Sequence, residues 1–407
     1  MRTDAEKQVV AIALITAVCL LGDSMLYIVL PIYWKSFGLS SLWQVGILLS
    51  INRFVRLPLN PLVGWLYQRI SKRTGILIAV GLAGITTCSY GVANGFWLLF
   101  FMRCLWGVAW SFLRLGGFLT VLEAADQHNR GFLIGKYNGL WGVGGLTGML
   151  AGGLLADSIG IEAMTLMFGA AALFSIPFVI RHIPDHFSTN AQRVDASISA
   201  YKHVWLQKNV LPVMVSGLMM SMAFFGIYMS TLSRLIEVNY SDSISLFGIV
   251  FGSATLAGMI QAIRWSWDPF LAPRFGQLSD QTTGRTPMLI TALFLGSVWF
   301  AILPFQLPLL VWFLVLLLLQ LTWTMLVTVT DSLATDVAST SYKVVVMTTY
   351  TVVVDVGAAI GPTFGYIVNE VFNISVLYWV TGGLLFSLGV YLSCNYIYKT
   401  GKENSPT

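Results

Sequence analysis

Long apolar runs follow one another along this chain, separated by short polar interruptions. A helix needs roughly 20 mostly apolar residues to cross a bilayer. Set against turn signals, the runs predict spans over 8–31, 42–67, 75–94, 96–122, 132–156 and 163–181, then 210–232, 244–271, 287–305, 308–335, 344–370 and 374–398. One long polar connector, 182–209, separates six helices from six. The expected organisation is an N-terminal bundle over 1–181, a cytoplasmic linker over 182–209 and a C-terminal bundle over 210–407. The first run is too long for a signal peptide, contains Asp23 and lacks a small-residue cleavage site, so it is retained as a helix.

Composition agrees: 56% of residues are hydrophobic and 10% charged, at a mean hydropathy of +0.76. Soluble proteins average about 25% charged residues. The pI near 9.0 does not point to nucleic acid, because the basic residues sit in short loops between apolar runs. With both termini placed in the cytoplasm, sixteen Lys and Arg fall inside and only Lys35 and Arg234 outside. That bias satisfies the positive-inside rule. Cys19, Cys88, Cys104 and Cys394 lie in apolar segments without paired spacing, so no disulfide framework or metal site is inferred. His128, His182, His186 and His203 lie in polar connectors, none placed as a zinc pair.

Both halves carry the same punctuation. Gly64-Trp-Leu-Tyr-Gln68-Arg69-Ile-Ser-Lys72-Arg73 stands between the second and third spans, and Gly276-Gln-Leu-Ser-Asp280 with Gly284-Arg285 between the eighth and ninth. Gly144, Gly148, Gly152 and Gly153 recur at one-turn spacing in the fifth span; Gly357, Gly361-Pro362 and Gly365 repeat the pattern in the eleventh. Such parallel duplication is a transporter arrangement.

These residues resemble motifs of the major facilitator superfamily. The first loop is similar to its G-x-x-x-D-R-x-G-R-R signature, with Gln68 in place of the acid and Ser71 in place of the second glycine. Asp280 retains the acid in the second copy. Gly135, Gly144, Gly148, Gly152 and Gly153 are similar to the antiporter motif G-x8-G-x3-G-P-x2-G-G, with Met149 replacing the proline. Arg103-Cys-Leu-Trp-Gly107 resembles the core of the family's proton-transfer motif, and Asp23 eight residues before Pro31 resembles a D-x7-P ending of drug:proton antiporters. The resemblance implies an all-α membrane protein of twelve transmembrane helices in two pseudo-symmetric six-helix bundles, the major facilitator fold. It also implies conformational roles for the glycines, Arg69, Arg73 and Arg285.

A charge inside the bilayer faces a cavity, finds a partner or serves function. Asp23 lies about 22 Å into its helix at 1.5 Å per residue. It is the first candidate proton site; its plain alternative is a structural bridge to an Arg of the second or fourth span. Asp355, in mid-span, is the second. Arg53 and Arg56 share a face of the second span, with Asn52 and Asn60 extending the strip. Arg103 and Arg114 share a face with Trp110. Four arginines against one clear acid suggest an anionic or zwitterionic substrate at Arg53, Arg56, Asn60, Trp110 and Arg114, since Arg grips carboxylate or phosphate in a fork; a neutral or cationic amphipath is the alternative. Against this stands snorkelling to an interface, for Arg114 above all. Arg264 and Asp268 are expected to pair, and Asp331 to be a solvated cap. Trp141, Phe224, Phe225 and Tyr228 either line a cavity or pack.

The expectation is a proton-coupled exporter of a small amphipathic compound: multi-pass, monomeric, in the cell membrane, with no cofactor. An importer or anion exchanger, and a lipid flippase, remain alternatives. No Ser/His/Asp set, P-loop or dinucleotide fingerprint is present, which argues against an enzyme or an ATP-driven pump.

Overall fold

A computed structural model describes residues 2–92, 94–124, 130–185, 210–240, 243–246, 249–281, 284–339 and 343–403. Within these residues the chain is almost wholly helical. The first elements are α1 (Arg2–Val29), α2 (Leu42–Tyr67), α3 (Lys72–Val92), α4 (Phe96–Ala124), α5 (Arg130–Ile159), α6 (Ile161–Phe174) and α7 (Ile176–His182). Then come α8 (Val210–Met220), a π-helical segment (Ser221–Tyr228), α9 (Met229–Tyr240) and the strands β1 (Ser243–Leu246) and β2 (Ile249–Gly252). The last are α10 (Ser253–Gln281), α11 (Arg285–Ile302), α12 (Leu309–Ser339), α13 (Lys343–Val371) and α14 (Ile374–Glu403).

Several local features have identifiable causes. Only one residue, Gly160, separates α5 from α6, and its φ of 85° is a conformation that a side chain would oppose. The sixth span breaks at Ser175 because Pro177 at the start of α7 has no N–H to return to the preceding turn. The seventh span, Val210–Tyr240, is continuous through its π segment, where bonds run i to i+5.

The eighth span differs from its expected range of 244–271. Its helix begins only at Ser253, and an antiparallel ribbon pairs Ser243 with Gly252 and Leu246 with Ile249 ahead of it. Ser-Ile-Ser-Leu alternates with period two, and Ile and Val favour the pleated backbone. Counted as apolar residues alone, this stretch merges with the helix that follows.

Ten helices among the described residues are long and apolar enough to cross a membrane. The two expected spans outside that set are α2, which carries Arg53, Arg56, Asn52 and Asn60, and α10, which carries Arg264 and Asp268. These charged and polar side chains are what lower the hydropathy of the two helices.

By contacts the chain forms two compact units, Met1–Val194 with Ser230–Trp265, and Asp195–Met229 with Ser266–Thr407. The core of the first is built on Ile12, Ala79, Trp106, Leu113, Tyr137 and Val179. That of the second includes Val210, Met214, Ala334, Val346 and Tyr350.

Candidate functional site

The first unit holds a group of buried polar side chains around Asp23 and Arg103. Asp23 on α1 stands six residues before the helix ends at Val29, about 9 Å at the helical rise. Arg103 stands seven residues after α4 begins. The two helices run in opposite directions through the same level, so the side chains meet. Arg103 Nη1 donates to Asp23 Oδ1 in an ion pair, and the Arg103 side chain is 1% exposed against 12% for Asp23. Arg103 Nε donates to the Leu48 carbonyl at 2.8 Å, and Asn52 Nδ2 donates to Asp23 Oδ1 at 3.2 Å. The guanidinium is therefore held by α2 and shared with α1. Its Nη2 is buried without a hydrogen-bond partner among the described residues.

Tyr90 on α3 turns toward the same pair and interacts electrostatically with both Arg103 and Asp23. It is 1% exposed, with its hydroxyl buried beside them. Its ring also lines a cavity of about 350 Å³ with Tyr33, Ser36, Gly160 and Glu162, at the end of the unit where α1 finishes. The Asp23–Arg103 pair is thus close to a polar hollow, with one phenol between them.

The expected substrate residues form a strip on α2 and α4. Arg56 is 9% exposed and Arg53 half-buried, with Arg53 Nε 3.4 Å from the Tyr27 hydroxyl; Asn60 is exposed. Trp110 is buried, 5.5 Å from Trp141 edge to face. Arg114 is half-buried over the Phe118 ring at 5.9 Å.

The glycines mark close backbone approaches. A Cβ on Gly144 would strike the Ala17 backbone, and one on Gly148 would lie 2.8 Å from the Leu21 carbonyl oxygen. Gly152 faces Met25, so these three motif glycines of α5 face α1. Gly153 faces Ala254 on α10, where Gly258 in turn lies against the Met149 carbonyl, at 2.7 Å from its own added Cβ. Gly135 lies within α5. In the second unit, Gly357 faces the Leu218 carbonyl and Gly361 faces Gly226 of the π segment. Pro362 follows it inside α13. The eleventh span therefore packs on the seventh as the fifth packs on the first.

Between α2 and α3, Arg69 lies over the Trp65 ring at 4.1 Å, and in the first turn of α3 Arg73 Nε donates to the Ile183 carbonyl at 2.8 Å. Gly64 and Gly276 have only Leu115 and Thr328 side chains near a would-be Cβ, both at 3.9 Å. Arg285 donates to the Ser332 carbonyl at 2.9 Å and pairs with Asp336. Asp280 lies in α10.

Asp355 is half-buried on α13. Asp268 accepts from the Thr324 hydroxyl at 2.5 Å, and Arg264 lies over the Trp265 ring at 4.5 Å. Asp331 accepts from the Tyr350 hydroxyl at 2.6 Å. Phe224 and Tyr228 are fully buried with Phe300 and Trp323, and the Tyr228 hydroxyl accepts from Gln320 at 3.1 Å. These two aromatics pack.

Sequence reasoning passed over two polar contacts. Lys72, of the first motif, begins α3 and is 1% exposed and paired with Glu123 of α4. Asp157 accepts from Tyr33 at 2.7 Å and from the Thr255 hydroxyl at 2.6 Å and amide at 3.3 Å, at the first turn of α10. The depth of Lys72 is not written in its neighbours. Asp157 had a weak signal, being an acid at the end of a glycine-rich helix.

The fold is a bundle of membrane-spanning helices, and comparison with known proteins places it in a family. The sequence profile of the Major Facilitator Superfamily matches residues 12–270, and the chain belongs to that family. It is 25% identical over 384 residues to the multidrug resistance protein MdtG of Salmonella paratyphi A, covering 89% of this chain and 88% of that one. It is 25% identical to MdtG of Klebsiella pneumoniae over 66% of this chain and 64% of that one, so here the match spans somewhat under two thirds of the relative. A bacterial homologue of the human lysosomal transporter Spinster, inward-facing and unoccupied, superposes with a TM-score of 0.73 at 16% identity, over 96% and 95% of the two chains. A POT family transporter in complex with a thioalcohol-conjugated peptide gives 0.75 at 9%, over 98% and 96%. The chain is a multi-pass membrane protein of a transporter family whose members are not enzymes.

Proposed function

We propose that the protein exports small amphipathic compounds in exchange for protons, by alternating access of two six-helix bundles, 1–181 and 210–407, with both termini in the cytoplasm of a cell whose membrane holds it as a monomer. The observation that carries this reading is the Asp23–Arg103 pair, with Asn52 on the same carboxylate oxygen. A carboxylate in such a pair has two stable arrangements. Charged, it neutralises the guanidinium in a dry interior; protonated, it releases that guanidinium to the Leu48 carbonyl and to an incoming ligand. Proton entry thus changes what α1, α2 and α4 hold in common. The glycine contacts of α5 on α1 support the exporter direction, through their similarity to the antiporter motif. The relatives are multidrug resistance proteins, which supports a broad amphipathic substrate.

Arg53, Arg56 and Arg114 favour a second reading in which the substrate is an organic anion, exchanged or imported without protons. One experiment separates the two. Proteoliposomes carrying the wild-type protein and Asp23→Asn are given an imposed pH gradient, and movement of ethidium and of radiolabelled deoxycholate is followed. Proton-driven export by the wild type, lost in a monodisperse Asp23→Asn protein, is the expected result. Unaltered pH-driven movement in that variant removes Asp23 from the mechanism. Deoxycholate movement indifferent to the gradient supports the second reading.

A further inference from the structure

The small hollow beside Tyr90 lies at the end of the first unit where α1 and α3 finish. It is bounded by the connection after α1 at Tyr33, Ser36 and Phe37, by the end of α3 at Tyr90 and Gly91, and by the turn from α5 to α6 at Gly160 and Glu162. Two tyrosines, a serine and a glutamate are thus among its lining residues. The helices α3 and α6 approach closely here: a Cβ on Gly91 would lie 3.0 Å from the Glu162 Cα.

Two rungs of α3 lead inward from the hollow. Tyr90 is the first, since it lines the hollow and also interacts with Asp23 and Arg103. Thr87 is the second, three residues deeper, about 4.5 Å along the helix. Its hydroxyl lies against Gly22, the residue before Asp23, in room that a side chain on Gly22 would take. Thr87 is 1% exposed, and its Oγ1 is buried with no hydrogen-bond partner among the described residues. Buried polar atoms in that state are places where ordered water binds. One water joins two hydroxyls about 5.5 Å apart through two bonds of ordinary length.

We propose that this hollow is where protons enter from the side of the membrane opposite the termini, and that Tyr90 positions the waters that carry them to Asp23. The inference rests on Asp23 being the proton site proposed above. The step moves one proton and no electrons. A hydronium ion in the hollow gives up its proton, each oxygen along the line takes one and passes one on, and the Asp23 carboxylate ends as the acid. The phenol of Tyr90 is neutral before and after. The other groups around Asp23 are Arg103 from α4, Asn52 from α2, and Tyr27 one turn on in α1, whose hydroxyl Arg53 approaches at 3.4 Å. From α5 the facing residues are glycines, and Glu162 of α6 stands at the hollow itself. Of the groups around the Asp23–Arg103 pair, Tyr90 is the one that also lines the hollow.

The test follows ethidium uptake into proteoliposomes with an acidic lumen, over a series of lumenal pH values. The liposomes carry the wild type, Asp23→Asn, Tyr90→Phe or Ala156→Leu. Ala156 lines the hollow and is 5% exposed, so the larger side chain fills it. Tyr90→Phe and Ala156→Leu are each expected to lower the maximal rate several-fold at unchanged ethidium KM, and the loss is expected to shrink as the lumen is made more acidic. A rise in KM together with a fall in rate that ignores lumenal pH overturns the proposal, since it describes a packing role. Wild-type rates in both variants, with Asp23→Asn uncoupled, overturn this proposal alone and leave Asp23 as the proton site. Uptake still driven by pH in Asp23→Asn overturns both. Tyr90→Phe, which keeps the ring, decides the matter if Ala156→Leu does not fold.

Discussion

Arg103 makes two directed bonds from one flat group, to a backbone oxygen of α2 and a carboxylate of α1. That pairing was legible in outline, because an acid and an arginine in adjacent apolar runs have few other ways to be satisfied. The partner at Asn52 and the approach of Tyr90 were not, since neither carries a charge. Lys72 shows the converse. Read as a loop residue in a basic cluster, it is placed in solvent; in the fold its ammonium is 1% exposed on Glu123. Removing one member of such a pair leaves the other uncompensated, whereas removing both restores neutrality. Glu123 is itself 28% exposed, so the penalty is moderated by solvent. Glu123→Gln is expected to destabilise by about 1–2 kcal/mol. Adding Lys72→Met is expected to recover most of that loss. Thermal unfolding of the two single variants and the double variant measures the coupling, and strict additivity would show that the pair contributes nothing.

At the scale of elements, most helices were written plainly in hydropathy, and their termini shifted by a few residues. Three features were hidden. The ribbon at 243–252 reads as apolar chain, the break at Ser175 depends on one missing N–H, and the π segment leaves no compositional trace. The glycine repeat was legible, but its direction was not: Gly144, Gly148 and Gly152 turn toward α1 and Gly153 toward α10. Because the atoms opposite Gly144 and Gly148 include backbone, a methyl group there cannot be accommodated by turning a side chain. Gly148→Ala is therefore expected to cost about 1–3 kcal/mol by overpacking. Gly139, also in α5, has nothing within 4 Å of an added Cβ. Gly139→Ala is expected to be neutral or to stabilise by up to about 1 kcal/mol through helix propensity. Comparing the two melting temperatures distinguishes motif glycines that permit contact from those that merely lie in a helix. Equal effects would remove the packing explanation.

At the scale of the molecule, the alternating access proposed above requires contacts that hold one arrangement and can be given up. Asp157 is placed for that role. It sits at the end of α5, receives the Tyr33 hydroxyl from the connection after α1, and accepts both the hydroxyl and the amide of Thr255. A carboxylate at the first turn of α10 is favoured by the helix dipole and by otherwise unmet amides. Gly252, just before that helix, comes so near Asp157 that a side chain there would displace the carboxylate. Three segments distant in sequence thus converge on one acid beside the small cavity lined by Tyr33 and Ser36. If α10 moves against α5 during the cycle, this is a bond that must open. Asp157→Ala removes all three interactions without touching Asp23 or Arg103. In a cysteine-less background carrying Ser36→Cys, its expected effect is a several-fold faster reaction of that thiol with a membrane-impermeant maleimide added outside intact cells. The same variant should retain its melting temperature within a few degrees, because the lost bonds lie at helix ends rather than in the core. An unchanged labelling rate would mean that Asp157 only caps α10 and leaves the conformational equilibrium to other groups.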